Sequence, residues 1–107
     1  MSQLTTHVLD ASTGNPATGV TVKLLKDDVV IASGTTDADG RVAELGPGRL
    51  EAGIYRLHFA VDEYFKRSGR ETFYPGVSID FWVVDSERRY HVPLLISPFA
   101  YSTYRGS

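Results

Sequence analysis

Two histidines, His7 in "THVLD" and His91 in "YHVPLL", are the residues most able to do chemistry in this chain. An unperturbed imidazole titrates at about 6.5, so near neutral pH it can take a proton from water and return it to a leaving group. Both lie in segments where apolar and polar residues alternate, the pattern of a half-buried strand. Alternate side chains on a strand share a face. His7 therefore falls with Thr5 and Leu9, opposite Leu4, Thr6 and Val8. His91 falls with Pro93 and Leu95, opposite Tyr90, Val92, Leu94 and Ile96, and Tyr104 falls with Ser102. With the opposite faces packed in a core, His7, His91 and Tyr104 lie on one outer surface. That surface is the candidate site. The third histidine, His58, shares a face with Arg56 and Ala60 and reads as an ordinary surface residue.

Other chemistries find less support. The chain has no cysteine, which excludes disulfides, thiolate metal sites and a cysteine nucleophile. Two histidines do not make a zinc site, which usually takes at least three protein ligands, so a metal is not expected. "TDADGR" opens like a calcium loop with Asp37, Asp39 and Gly40, but its twelfth position is Gly48 where a glutamate is needed. It reads as a tight turn. Arg41 follows that turn directly, and the turn leaves open whether its side chain is solvated or reaches a site. Glu51, Asp62 and Glu63 show no carboxylate pairing, and Ser107 alone is no evidence for a serine triad.

The elements that must position these residues are short strands punctuated by Gly and Pro, the signature of an all-β sandwich. Strands are expected over Leu4–Asp10, Val20–Leu25, Val29–Ser33, Gly53–Val61, Val77–Val84, Tyr90–Ile96 and Ala100–Arg105, with a weaker one over Arg41–Glu44. Asp27 and Asp28 join the second and third as a hairpin. "DEYFKRSG" predicts one short helix, with Asp62 as N-cap and Gly69 as stop. In Val77–Val84 the alternation leaves Trp82 and Val84 exposed, opposite Val77, Ile79, Phe81 and Val83. A length of 107 residues and an apolar fraction of 42% suit one domain, residues 1–107. The net charge of −2, with both signs mixed along the chain, gives no basic stripe for nucleic acid and no polybasic arm for a membrane. No leader-like segment precedes the first strand, so a cytoplasmic location is expected.

The segments "HVLDASTGNPATGVTVKL", "TTDADGR" and "YHVPLLISPFAYSTYRGS" together resemble the transthyretin-related family, and most closely its hydrolase branch. "GIYRLHF" and "EYFKRSGRETFYPGVSIDFWV" fit the same family, so the resemblance runs through nearly the whole chain. Its most specific element is the terminal "YRGS", which the hormone-carrier branch lacks. The resemblance implies a transthyretin-like two-sheet sandwich of seven or eight strands with one short helix. It also implies a homotetramer, a dimer of dimers with a channel lined by the outer faces of the first, seventh and eighth strands. The implied activity is metal-free, cofactor-free hydrolysis of 5-hydroxyisourate, with His7, Arg41, His91 and Ser107 as catalytic residues. His7, Arg41, Tyr104, Arg105 and Gly106 would bind the substrate. The competing implication is a small-ligand carrier using the same channel. The N-terminal half alone also resembles generic bacterial sandwich modules of structural role.

Overall fold

The computed structural model describes residues 3–46 and 48–106. The first sheet orders four strands as β2-β1-β7-β8: β1 is Leu4–Asp10, β2 Asn15–Pro16, β7 Tyr90–Ser97 and β8 Ala100–Thr103. The second orders four as β4-β3-β5-β6: β3 is Thr21–Lys26, β4 Val29–Thr35, β5 Gly53–Phe59 and β6 Val77–Val83. The expected two-sheet sandwich with one short helix is what the chain forms. All strand pairs are antiparallel except β1 with β7, which run parallel.

Alternation produces this packing directly. Leu4, Thr6, Val8 and Asp10 of β1 are buried while Thr5, His7 and Leu9 are half-buried on the other face. Tyr90, Val92, Leu94 and Ile96 of β7 are likewise buried, and they meet Val22, Leu24, Leu57 and Phe59 from the facing sheet. The buried hydroxyl of Thr6 is not orphaned; it donates to the carbonyl of Val92 at 2.6 Å. Among the described residues no helix is long and apolar enough to cross a membrane.

Three local expectations need correction. The strand expected over Arg41–Glu44 is absent: Arg41 forms a single bridge with His7, and the chain then turns inward to bury Val42 and Leu45. The helix α1 spans Val61–Arg67, with Ala60 rather than Asp62 at its N-cap and no side-chain cap. Val61 buries as the first helical residue, which ends β5 at Phe59 and moves Asp62 into the first turn, where its charge suits the helix dipole. Gly69 does stop the helix, in the left-handed region at φ 69°. Finally, β8 ends at Thr103 instead of Arg105. Pro93 faces Tyr104 in this register and has no N–H to give, so the ladder lapses. It closes again in the same register where Gly106 N–H donates to the His91 carbonyl at 2.9 Å. The two-residue β2 was not expected from its turn-rich sequence.

Among the described residues, Asp10 is the one charged side chain buried in this core. Burial alone would raise its pKa. Hydrogen bonds from Arg70 (2.7 Å), from the Ser12 hydroxyl and backbone, and from the Tyr64 hydroxyl (2.7 Å) outweigh that and hold it at about 2. The cluster ties the end of β1 to α1 and the segment after it. Its contribution to stability is complete above the ordinary carboxyl value of 3.8 and is lost as pH falls through about 2. At 1.36 kcal/mol per pKa unit the loss is about 2 kcal/mol. Chemical denaturation at pH 5 and at pH 2 measures it, and the Asp10→Asn variant should show a flatter dependence on pH by that amount.

Candidate active site

The parallel register of β1 on β7 sets Thr5 beside His91 and His7 beside Pro93. The antiparallel register of the terminal segment then sets Gly106 on the far side of His91. Two adjacent rows therefore cross the outer face of the first sheet: Thr5, His91, Gly106, and His7, Pro93, Tyr104. The face that alternation predicted for the two histidines exists, and backbone pairing carries the chain's end to it.

The turn after β4 brings Arg41 to the same place. Asp37 Oδ1 accepts from the backbone N–H of Asp39 (2.9 Å) and of Arg41 (3.0 Å), and the Asp37 N–H donates to the Arg41 carbonyl at 2.8 Å. Gly40 closes the turn at φ 77°, and its carbonyl accepts from Val8 N–H at 2.7 Å. A Cβ at Gly40 would stand 2.3 Å from the Val8 carbonyl oxygen, so only glycine permits this approach. The acidic turn that resembled a calcium loop is thus a bracket that locks Arg41 onto β1 beside His7. The Arg41 guanidinium is exposed and makes no hydrogen bond or ion pair with the described residues, which leaves its forked donors open.

The two imidazoles are held differently. His7 Nε2 lies 2.8 Å from the carbonyl oxygen of Asp39. A carbonyl only accepts, so Nε2 carries the proton and Nδ1 is bare in the neutral ring. His91 Nδ1 lies 2.8 Å from the Thr5 hydroxyl oxygen, and its Nε2 has no hydrogen-bond partner among the described residues. Burial pushes the His91 pKa below 6.5, and the Arg41 charge and His7 push it the same way against a raising hydrogen bond to the Thr5 backbone. His91 is therefore neutral at neutral pH and ready to accept a proton.

The remaining expected residues divide. Gly106 lies against the His91 ring, where a Cβ would stand 2.3 Å from His91 Cδ2. Tyr104 is exposed and borders, with His91, a cleft of about 240 Å³ also lined by Trp82, Ile79 and Phe81. Arg105 lines the same cleft as His91 and Tyr104, with its guanidinium over the ring of Tyr90, 5.2 Å from the centroid. Ser107 lies outside the described residues. His58 is on the other sheet, with Nδ1 3.0 Å from Ser78 Oγ. Among the described residues no three His, Asp or Glu side chains gather as metal ligands. Thr5 was not among the expected site residues. The signal for it, a threonine on the His7 face, was visible, but only the β1–β7 register shows that it meets His91.

A two-sheet sandwich whose outer face gathers a neutral histidine, a second oriented histidine and an open guanidinium has the parts of a small-molecule hydrolytic site. The chain belongs to the HIUase/transthyretin family, whose model matches residues 4–106. It is 46% identical to the 5-hydroxyisourate hydrolase of Caulobacter vibrioides, with 100% of both chains covered. Among solved structures, the Klebsiella pneumoniae 5-hydroxyisourate hydrolase superposes with a TM-score of 0.91 at 44% identity, over 100% of this chain and 94% of that one. A sea bream transthyretin in complex with thyroxine gives 0.89 at 32% identity, over 97% of this chain and 94% of that one.

Proposed function

We propose that this protein hydrolyses 5-hydroxyisourate to 2-oxo-4-hydroxy-4-carboxy-5-ureidoimidazoline, a step of urate breakdown, on the outer face of β1 and β7. The observation that carries the reading is the convergence of His7, Arg41 and His91 on one face, within a family whose similar members bear the name of that activity. A carrier of apolar ligands has no need of a neutral base beside a free guanidinium.

Water must be deprotonated as its oxygen bonds to the ring carbonyl carbon. Negative charge then develops on the carbonyl oxygen, the carbon–nitrogen bond breaks, and the departing nitrogen takes a proton. The histidine pair receives the water's proton and delivers one to the nitrogen, which balances the step. Arg41 binds the flat, electron-rich substrate and stabilises the oxyanion. Tyr104 offers a hydroxyl and an aromatic face to the ring, and Ser107 a hydroxyl. Gly106 allows the backbone to approach. Arg105, seated on Tyr90, lines the cleft beside His91 and Tyr104, where it is placed to meet substrate. The test is isotopic. In ¹⁸O-labelled water the protein-accelerated reaction should place one heavy oxygen in the product carboxylate, and accelerated loss of substrate without label would overturn hydrolysis.

The same reading includes a homotetramer in which such faces oppose one another across a channel. It is supported by β8, whose four residues are all exposed, and by the outer edges of β6 and β8, on which no strand pairs among the described residues. Sedimentation at tetramer mass is expected; a monomer at micromolar concentration would remove the channel.

A further inference from the structure

We infer that Thr5 is a positioning residue that fixes the His91 ring with its proton on Nδ1, so that Nε2 is the atom that deprotonates water. The inference rests on the proposed hydrolytic reading and supplies what that reading leaves open, which histidine is the base. Its ground is geometric. Thr5 and His91 are direct neighbours in the β1–β7 register, and Thr5 Oγ1 sits 2.8 Å from Nδ1. A hydroxyl can accept or donate; in the sense that leaves the open ring nitrogen able to take a proton from water, Thr5 accepts from Nδ1–H and Nε2 is bare. Thr5 thus holds the ring by its side chain at Nδ1, and a ring donating to that hydroxyl carries its proton on the Thr5 side.

The rest of the cage agrees. Gly106 lies against the Cδ2 edge of the ring, so the imidazole is bounded by Thr5 on one strand and by glycine backbone on the other. The charged and titratable groups acting on it are Arg41 from the turn and His7 from β1, with Tyr104 beyond on the terminal segment. His7 has already committed its Nε2 proton to the Asp39 carbonyl. The two rings are therefore oriented in opposite senses, one bare at Nδ1 and the other at Nε2. Of these, His91 is the ring that burial and Arg41 keep neutral. The proton path follows: water to His91 Nε2, Nδ1–H retained on Thr5, and Nε2–H onward to the departing ring nitrogen.

The test compares Thr5→Val, which keeps the β-branched shape and removes the hydroxyl, with Thr5→Ser, which restores the hydroxyl. Thr5→Val should lower kcat by about three- to tenfold with KM little changed, the worth of one neutral hydrogen bond. Thr5→Ser should recover most of that loss. In ¹⁵N-labelled protein, His91 of the wild type should show a protonated Nδ1 and a bare Nε2, and Thr5→Val should show a mixture of tautomers. Equal losses in the two variants, or a wild-type His91 protonated at Nε2, would overturn the inference. The nitrogen shifts need no substrate. A wild type that fails to hydrolyse 5-hydroxyisourate would refute the proposed activity, while the spectra still judge the role of Thr5.

Discussion

His91→Ala should lower kcat/KM for 5-hydroxyisourate by about 10²–10⁴-fold, the usual contribution of a positioned general base. The size follows from how much of the site is spent on this ring. Thr5 holds Nδ1, Gly106 packs against its edge, and burial with the Arg41 charge keeps it neutral. The residue is half-buried on an outer face, so removing its ring leaves the core cluster of Val8, Leu94 and Phe59 untouched. Denaturation midpoints of wild type and variant should therefore nearly coincide. The pH profile carries the same signature. With its pKa lowered, the wild-type base stays deprotonated below 6.5, so the acid limb of kcat/KM should fall on the acid side of that value. Steady-state kinetics across pH checks both points. An acid limb above 6.5 would assign the base elsewhere.

Gly106→Ala should be nearly as damaging although it removes no functional group. Directly opposed residues of an antiparallel pair share a face, so the added methyl would point at the His91 ring, 2.3 Å from Cδ2 and 3.0 Å from Cγ. No carbon atoms sit that close. Either the imidazole rotates off Thr5 or the terminal segment lifts from β7 and breaks the Gly106 N–H bond to the His91 carbonyl. Misplacing a reacting group by about 1 Å can cost on the order of 10²-fold in rate. The backbone at Gly106 is not in the left-handed region, so the loss comes from the ring collision rather than from strain in the chain. Kinetics paired with thermal denaturation separates these. A large fall in kcat with little change in Tm is expected, and a matching collapse of both would mark Gly106 as merely structural.

How far the sequence reached depends on the range of the physics involved. Period-two alternation sorted His7 and His91 onto one face, because side-chain direction along a strand is a local property. It placed the core positions of β1 and β7 for the same reason. Where one residue's burial decided an element's end, local signals misled. Asp62 looked like a cap, yet Val61 claimed the first helical position. Pro93 interrupted the last strand from across the sheet, an effect invisible within "AYSTYR" itself. Arg41 sat beside an unmistakable turn, but only pairing of Gly40 with Val8 shows that the turn delivers it to His7. Thr5 was hidden in the same way. Register between β1 and β7 is a long-range fact, set by how two distant segments pack, and it turns a neighbour of His7 into the partner of His91.

The central claim is that this outer face opens 5-hydroxyisourate, and the decay of freshly generated 5-hydroxyisourate tests it most directly. At micromolar protein, the wild type should accelerate the decay well beyond the spontaneous rate, while His91→Ala at the same concentration should leave it close to spontaneous. Decay unchanged by the wild-type protein would contradict the account.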